Sequence, residues 1–498
     1  MFIMKKNIIL LLTTVLFLGG CSDFLNMPPK NIKVVYTMAD VKDAMTGLLF
    51  ATLNSNYYSG YLNKAVKFNG EYVMYPFTRN INIAMDLYTN DIDMVKFIDQ
   101  DGDRNRGGIP FQKYFTENKN WEGYKIASEI WGSVFTNVGY INMVLKDLEN
   151  VPDYNKMDYE RISGEARVMR AYYLLRLNAL FAPYNLNDYG IPFNFDADVV
   201  QGGKRWKQTE LYQKLIGEIM DVLNYETVPK ESWNIYFNKR IMYAILAQTY
   251  QYKAESCAKE ADDWAKAEYY AKEARAGGVI ENTVEAQAEV STIPVPIVVN
   301  KPHAHALLRF SLYFYWAYSS APWGLDDPQQ CPTEDLYQLY DENDIRREVY
   351  FKNKEGRPYL IKFFRTEDHD ATTTHALFRF SDLLLIEAEA LARQGKEGAL
   401  KLLNEFKADK IPGYTGYTGN DVIGEILKER RKEFILEEQM NWLDMKRTGQ
   451  KVTRQVKDES TNEIVTYTLE SNDYRYTLPL PADTELMYNN VPQNPGWK

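Results

Sequence analysis

The chain has 498 residues, of which 45% are hydrophobic, so it is long enough to bury a large core. Its formal net charge of −10 argues against nucleic acid or anionic lipid as the main partner. Three cysteines are too few for a disulfide scaffold, although Cys257 and Cys331 could form one bond. The aromatic fraction is high, at 14% with 37 tyrosines, and such rings serve both helix packing and stacking on sugars.

Residues 1–20 have the composition of an export signal. Lys5 and Lys6 form a short positive region, an apolar run covers 8–18, and Gly19-Gly20 supplies small residues before a cleavage point. Loss of this segment would change the net charge from −10 to −12. The apolar run is shorter than the ~20 residues that a membrane span requires, so an uncleaved membrane helix is the weaker interpretation.

A cysteine follows directly, in the sequence Leu-Gly-Gly-Cys at 18–21. This box is typical of a bacterial lipoprotein signal, in which the thiol of Cys21 receives a diacylglycerol, although secretion without lipid is an alternative. Several acyl chains would hold the protein stably, because each buried CH2 contributes about 0.8 kcal/mol. Residues 21–40 would then form a lipidated tether, in which Pro28-Pro29 keeps the chain extended.

Nine segments have the apolar periodicity of amphipathic helices. Proline ends two of them, at Pro152 and Pro183, and Gly277-Gly278 closes another. These helices predict a mainly α fold of antiparallel pairs similar to tetratricopeptide packing. The predicted segments are 41–58, 123–151, 159–183, 209–226, 238–257, 262–278, 378–396, 397–410 and 420–447.

The stretches between these helices are long and rich in rings, so we expect ordered, functional loops. They cover 59–122, 184–208, 279–377 and 449–498. Two parts are prominent, and we name them the first ring-rich segment (54–91) and the second ring-rich segment (309–328). Flat rings can stack on the faces of a sugar while polar side chains bind its hydroxyls. The candidate ligand-binding residues are Trp316, Trp323, Tyr315, Tyr318, Tyr61, Arg79, Tyr88 and Asp91. The alternative is that these rings only pack the loops onto the helices.

The sequence contains no motif for nucleotide phosphates, for a serine nucleophile or for zinc. The pair His303 and His305 has no acid or cysteine at ligand spacing. Residues 99–110 are similar to a calcium loop, but Arg104 and Pro110 stand where a glycine and a glutamate are needed. We therefore expect no metal, no cofactor and no catalytic residue.

Several motifs, in the same order along the chain, resemble the SusD/RagB family of outer-membrane nutrient-binding lipoproteins. The segment 163–192 is similar to the signature helix of that family. The other matches lie upstream and downstream of it. The matching residues are Trp131, Phe135 and Asn142; Gly164-Glu165-Ala166-Arg167; Arg170-Ala171-Tyr172-Tyr173; Gly190-Ile191-Pro192; Arg379 and Glu389; the Glu-Arg-Arg run at 429–431; and Gln493-Asn494-Pro495-Gly496. One departure is the segment 437–444, which lacks the glycine and arginine of the family's Glu-Gly-x-Arg element.

The charged motif residues Glu165, Arg167 and Arg170 lie within two turns of one predicted helix, among apolar neighbours. Buried charges require partners. We therefore interpret these three residues as structural groups that fix the register of the helix, and we expect them to be paired rather than to contact a ligand.

The resemblance implies a single SusD-like unit that binds an oligosaccharide and has no enzymatic activity. It implies a location on the exterior of the outer membrane, tethered at Cys21, and a TonB-dependent SusC-like transporter as partner. We divide the chain into a signal peptide, a tether, an N-terminal helical part and a C-terminal part. Their bounds are 1–20, 21–40, 41–278 and 279–498, and the last part includes a loop-rich insertion at 279–377.

Two alternatives stay open. The first keeps the fold but changes the ligand to peptides, as in the RagB branch of the family. The second is a surface glycosidase, which would need two carboxyl groups about 5–10 Å apart in a cleft.

Overall fold

A computed structural model describes most of the helical part of the chain. The described residues are 37–53, 67–68, 71–72, 75–77, 89–93, 95, 125–195, 205–225, 233–278, 306–313, 331–362, 372–457, 461–482, 486 and 490–497. The predicted signal, the lipidation site Cys21 and the calcium-like stretch 99–110 lie outside these residues.

The described residues form twelve α-helices and several two-stranded sheets, which confirms the mainly α fold. The helices are α1 (Met38–Leu53), α2 (Lys125–Asn150), α3 (Lys156–Phe181), α4 (Gln208–Leu223), α5 (Lys239–Lys253), α6 (Asp263–Arg275), α7 (Glu334–Tyr337), α8 (Arg346–Tyr350), α9 (Phe380–Arg393), α10 (Ala399–Lys410), α11 (Val422–Glu433) and α12 (Met440–Thr448). The first eight predicted segments each overlap one helix. The short helices α7 and α8 were not predicted.

The prediction of one helix over 420–447 is wrong, because the structure divides it into α11 and α12. Between them, Leu436, Glu438 and Gln439 have φ values of 56°, 48° and 54°, in the left-handed region. A side chain in that region costs free energy, so surrounding contacts must hold it there. The sequence has neither glycine nor proline at this break. The apolar periodicity continues across it, and the sequence analysis therefore predicted a single helix.

The long stretches between helices contain short antiparallel strands that the sequence analysis did not predict. The strands are β1 (Lys67–Phe68), β2 (Glu71–Tyr72), β3 (Tyr189–Pro192), β4 (Arg205–Lys207), β5 (Ala306–Tyr313), β6 (Phe351–Lys354), β7 (Arg357–Leu360), β8 (Thr372–Arg379), β9 (Val452–Lys457) and β10 (Ile464–Leu469). Each consecutive pair forms a two-stranded sheet, except that β5 pairs with β8 and β6 pairs with β7. The β5–β8 sheet runs from Ala306 opposite Arg379 to Tyr313 opposite Thr372.

Helix α3 forms the centre of the core, and it is buried along almost its whole length from Ile162 to Phe181. Its last carbonyl groups lack intrahelical donors, so other parts of the chain must satisfy them. The ammonium of Lys446 donates to the carbonyls of Ala179 (2.8 Å) and Ala182 (2.7 Å). The side-chain amide of Asn494 donates to the carbonyl of Phe181 (2.8 Å). The C-terminal motif therefore closes the end of the signature helix.

The charged residues in the first half of α3 are structural, as predicted. Arg170 donates to Glu218 (2.6 Å) and to Asn142 (2.7 Å), and Arg167 donates to the same Glu218 (3.2 Å). Glu165 accepts from three consecutive backbone amides, at 235–237 (2.7–3.0 Å). These contacts hold α2, α4 and the start of α5 on the central helix.

Helix α11 carries five consecutive charged residues, 429–433, and each pairs with charged groups elsewhere in the fold. Arg430 is buried and donates to Asp382 (2.8 Å) of α9. Arg346 of α8 donates to Glu429 (2.7 Å). In order, the partners of the five residues are Arg346, Lys407 and Lys432; Asp382 and Asp444; Asp91; Asp344 and Glu429; and Arg346 and Arg379.

The free energy of unfolding should decrease as pH rises from about 4.5 to 7, because of Glu165. Burial raises the pKa of Glu165 to about 7 from its usual 4.5, against the opposing effect of the backbone hydrogen bonds. The folded state therefore retains a proton in this window that the unfolded state has released, and the loss by pH 7 is about 3 kcal/mol. Urea unfolding at pH 5 and pH 8 measures the difference. Glu165→Gln should remove this contribution. If the free energy of unfolding of that variant changed with pH as in the unchanged protein, the assignment to Glu165 would be contradicted.

Candidate ligand-binding site

Most of the candidate ligand-binding residues lie outside the described part of the chain. These are Trp316, Trp323, Tyr315, Tyr318, Tyr61, Arg79 and Tyr88. Asp91 is described, and so are residues inside or next to both ring-rich segments: 67–68, 71–72, 75–77 and 89–93 for the first, and 306–313 and 331 onward for the second. These residues show where parts of the two segments attach to the helical scaffold.

Backbone hydrogen bonds join the end of the first ring-rich segment to the chain that follows the second. The amide of Asp93 donates to the carbonyl of Cys331 (2.9 Å), and the amide of Thr333 donates to the carbonyl of Asp91 (2.9 Å). These bonds form a single antiparallel β-bridge. The hydroxyl of Thr333 also donates to the carbonyl of Asn90 (2.7 Å). We name this junction, residues 90–93 with 331–333, the segment clasp.

The carboxylate of Asp91 fixes the segment clasp to helices α11 and α12. Its side chain is 1% exposed, and its two oxygens accept from Arg431 Nε (2.7 Å) and Asn441 Nδ2 (2.7 Å). Arg431 also donates to the carbonyl of Asn90 (2.6 Å). The structure therefore gives Asp91 a positioning role. Neither of its oxygens is presented at the surface, so we do not include it among the ligand contacts proposed below.

A second attachment of the first ring-rich segment lies at Tyr75 and Phe77, which are both buried. The Tyr75 hydroxyl lies 3.2 Å from that of Tyr172 and donates to Glu438 (3.3 Å). Burial and the neighbouring Glu438 carboxylate raise the pKa of Tyr75 well above its usual value, so it stays a neutral donor. The side chain of Gln439 donates to the carbonyl of Phe77 (3.5 Å). The left-handed residues between α11 and α12 thus contact this segment directly.

The sequence analysis missed Arg431, Asn441, Glu438 and Arg176 as residues that hold the ring-rich segments. Arg176 donates to the side chains of Glu438 (3.3 Å) and Gln439 (3.2 Å), and so supports the Tyr75 attachment. The Glu-Arg-Arg run at 429–431 is a signal for such a role, since charges in a helix of a large core need buried partners. The sequence alone does not identify those partners.

A small cavity lies between α3, α5 and α12. Its volume is about 70 Å³, and its lining includes Arg176, Arg430, Arg447, Asp444 and Gln251. Ligand pockets usually measure about 300–1,000 Å³, so this space is too small for an oligosaccharide. Its charged groups also pair with one another or with nearby acids, as Arg447 does with Glu389 (2.7 Å). We therefore assign it to the core.

One group of three acids in the described part of the chain has the spacing of a metal site: Glu260, Asp262 and Asp263. The ammonium of Lys253 donates to both oxygens of Asp263 (2.8 and 2.9 Å) and to Glu260 (3.0 Å). A single lysine therefore already pairs with two of these acids. His303, His305 and His369 lie outside the described residues.

Two further observations concern cysteines and membrane spans. Cys257 is exposed and Cys331 is buried, and no disulfide joins these two described residues. Although Cys257 is exposed, partial desolvation of its thiol and the neighbouring Asp188 raise its pKa to about 11. None of the described helices combines the length and apolar character needed to span a bilayer.

Two family models match the sequence. One is described as the SusD family and matches residues 309–497; the other is described as starch-binding associating with outer membrane and matches residues 69–251. The two ranges fall in the C-terminal and N-terminal parts of the chain, and helices α1 and α6 lie outside both. No curated protein sequence matches the chain significantly.

Solved structures share the fold at low sequence identity. A putative sugar binding protein from Bacteroides vulgatus has a TM-score of 0.68 and 19% identity, over 94% of this chain and 100% of that one. A SusD superfamily protein from Bacteroides thetaiotaomicron has a TM-score of 0.67 and 20% identity, over 92% and 100%. A laminarin binding SusD-like protein has a TM-score of 0.59 and 16% identity, over 92% and 99%. These similarities confirm the fold.

Asp91→Ala should lower the free energy of unfolding by roughly 2 kcal/mol, because it leaves Arg431 and Asn441 without their shared acceptor. Urea denaturation checks this. Asp335→Ala is the matched control, since Asp335 is an exposed acid that also contacts Asn90 (3.3 Å), and it should change stability by less than about 0.5 kcal/mol.

A double-mutant cycle that combines Asp91→Ala with Arg431→Ala measures the interaction energy between these two side chains. The two single substitutions should each lower the free energy of unfolding. The double variant should lower it by less than the sum of the two single effects. Strictly additive effects would contradict the direct coupling between Asp91 and Arg431.

Proposed function

Because this chain belongs to the SusD family, we propose that it is a surface lipoprotein that binds an oligosaccharide and passes it to a TonB-dependent SusC-like transporter. The proposed location is the outer face of the outer membrane, with the lipid on Cys21. The family model described as starch-binding and associating with the outer membrane supports this assignment. The sugar-binding and laminarin-binding names of two structural relatives support a carbohydrate as the ligand class.

The segment clasp is the observation that carries the proposal for the ligand site. It joins the end of the first ring-rich segment to the chain that follows the second, so one end of each segment lies at the same place on the scaffold. We propose that their rings form a common platform. A sugar stacks on flat aromatic faces while Arg and other polar groups bind its hydroxyls. The proposed contacts are Trp316, Trp323, Tyr315, Tyr318, Tyr61, Arg79 and Tyr88.

Capture and delivery require no bond to be broken, and we propose that the protein is not an enzyme. The protein then needs a rigid platform, moderate affinity and a surface for the transporter. We propose the tetratricopeptide-like pair α5 and α6 as part of that surface, since these helices pack closely on each other and α6 also packs on α9. Closely packed helices keep the shape of this surface unchanged while the transporter partner moves.

Trp316→Ala and Trp323→Ala should each weaken oligosaccharide binding about tenfold, which corresponds to the loss of about 1.4 kcal/mol of stacking. Isothermal titration calorimetry against laminarin and starch oligosaccharides measures the affinity. Tyr269→Ala is the matched control, because its ring is 51% exposed on α6, which takes no part in the segment clasp. Full affinity in both tryptophan variants would remove these residues from the site.

The same experiment separates the alternatives. Binding of short peptides but of no glycan, again lost in the tryptophan variants, would assign the protein to peptide import. Hydrolysis of a bound glycan, measured as the release of new reducing ends, would show a glycosidase and contradict a pure binding role.

A further inference from the structure

Gln439 has an unusual backbone conformation for its residue type. It precedes α12 with φ 54° and ψ 20°, in the left-handed region, and its side chain makes no capping hydrogen bond to that helix. Glycine enters this region without a steric penalty, whereas a residue with a Cβ atom has one. Gln439 also lies in the segment 437–444, which lacks the glycine of the corresponding family element. Surrounding contacts must therefore maintain this conformation, as they do at many functional positions.

The side chain of Gln439 is buried, and it contacts two other parts of the fold. Its amide group donates to the backbone carbonyl of Phe77 (3.5 Å), and its carbonyl oxygen accepts from Arg176 Nη2 (3.2 Å). A glycine at this position would suit the backbone but would make neither contact. The chain thus has a side chain where the backbone conformation alone favours none, and this side chain connects α3 to the first ring-rich segment.

The ring of Phe77 is held next to these hydrogen bonds. The guanidinium of Arg176 lies 5.7 Å from the centroid of this ring and also donates to the backbone carbonyl of Glu438. Phe77 is buried, and its ring packs edge-on with that of Tyr173 on α3, with 5.9 Å between the centroids. Gln439, Arg176 and Tyr173 therefore all contact Phe77, through either its carbonyl group or its ring.

We propose that Gln439 is a positioning residue for ligand binding, which fixes Phe77 and thereby the first ring-rich segment at a cost in backbone free energy. The inference rests on the proposed function, which assigns ligand contacts to this segment. One of those contacts, Arg79, follows Phe77 by only two positions in the sequence, so a shift of Phe77 is transmitted to it. Gln439 is buried and acts through Phe77 rather than on the ligand.

Gln439→Gly tests this exchange of stability for position. The substitution relieves the backbone and removes the side-chain contacts, so the two effects on stability oppose each other and the urea midpoint should stay nearly unchanged. The affinity for laminarin and starch oligosaccharides should fall about fivefold, because Phe77 loses a partner. Isothermal titration calorimetry measures the affinity. Loss of affinity together with a clearly lower urea midpoint would assign Gln439 to general stability and overturn the inference.

Glu355→Gly is the matched control. Glu355 also has a φ of 54°, but it is exposed in the turn between β6 and β7. Its replacement by glycine gives the same kind of backbone relief without removing a buried contact. The urea midpoint of this variant should stay the same or rise, and its affinity for oligosaccharides should be unchanged.

A fluorine label gives a second measurement that needs no ligand. With 4-fluorophenylalanine at position 77, Gln439→Gly should shift or broaden the 19F resonance, and Glu355→Gly should not. An unchanged resonance in Gln439→Gly would overturn the inference, and so would a changed resonance with full oligosaccharide affinity. Both results would leave the proposed function intact. If the unchanged protein bound no glycan, the proposed function would fail and the inference with it.

Discussion

The fold depends on the rule that a buried charge must have a partner. Five consecutive charged residues of α11, 429–433, obey it by reaching α8, α9, α12 and Asp91. Burial would raise the pKa of Glu429, but Lys432, Arg346 and Lys407 outweigh it and lower this pKa to about 2. A shift of α11 by one residue would break these pairs and bring several of the charges next to groups of the same sign. The network therefore fixes the register of the C-terminal helices more strictly than apolar packing could, since hydrophobic contacts tolerate small displacements.

The same network connects the scaffold to the ring-rich segments. Arg431 holds the segment clasp through Asp91, and the left-handed residues after α11 bring Glu438 and Gln439 to Tyr75 and Phe77. Three residues with positive φ are costly without glycine, and the contacts of Arg176 with two of them, Glu438 and Gln439, help to hold this conformation. Glu437, next to them, pairs with Arg379 as the neighbouring carboxylate Glu433 does.

The sequence was most informative where the signal is local. Apolar periodicity located the long helices, and the position of Arg167 and Arg170 among apolar residues predicted their pairing. The sequence analysis failed for features that depend on contacts between residues far apart in the chain. The strand β5 becomes a strand because β8 pairs with it, and Asp91 becomes a positioning residue because Arg431, far along the chain, reaches it. The break between α11 and α12 has the same origin, since distant partners rather than local glycine or proline stabilise it.

The distribution of rings and charges supports the proposal that the ligand binds outside the helical part. Many tyrosines of this ring-rich chain fill the core, among them Tyr172, Tyr173, Tyr212 and Tyr236. The cavity of about 70 Å³ that remains between the described helices is lined by charges that already satisfy one another. A neutral sugar offers hydroxyl groups, which cannot replace a carboxylate as the partner of a buried arginine, so entry there would leave charges unpaired. These observations favour the proposed platform on the two ring-rich segments, and the segment clasp joins the end of the first to the chain that follows the second.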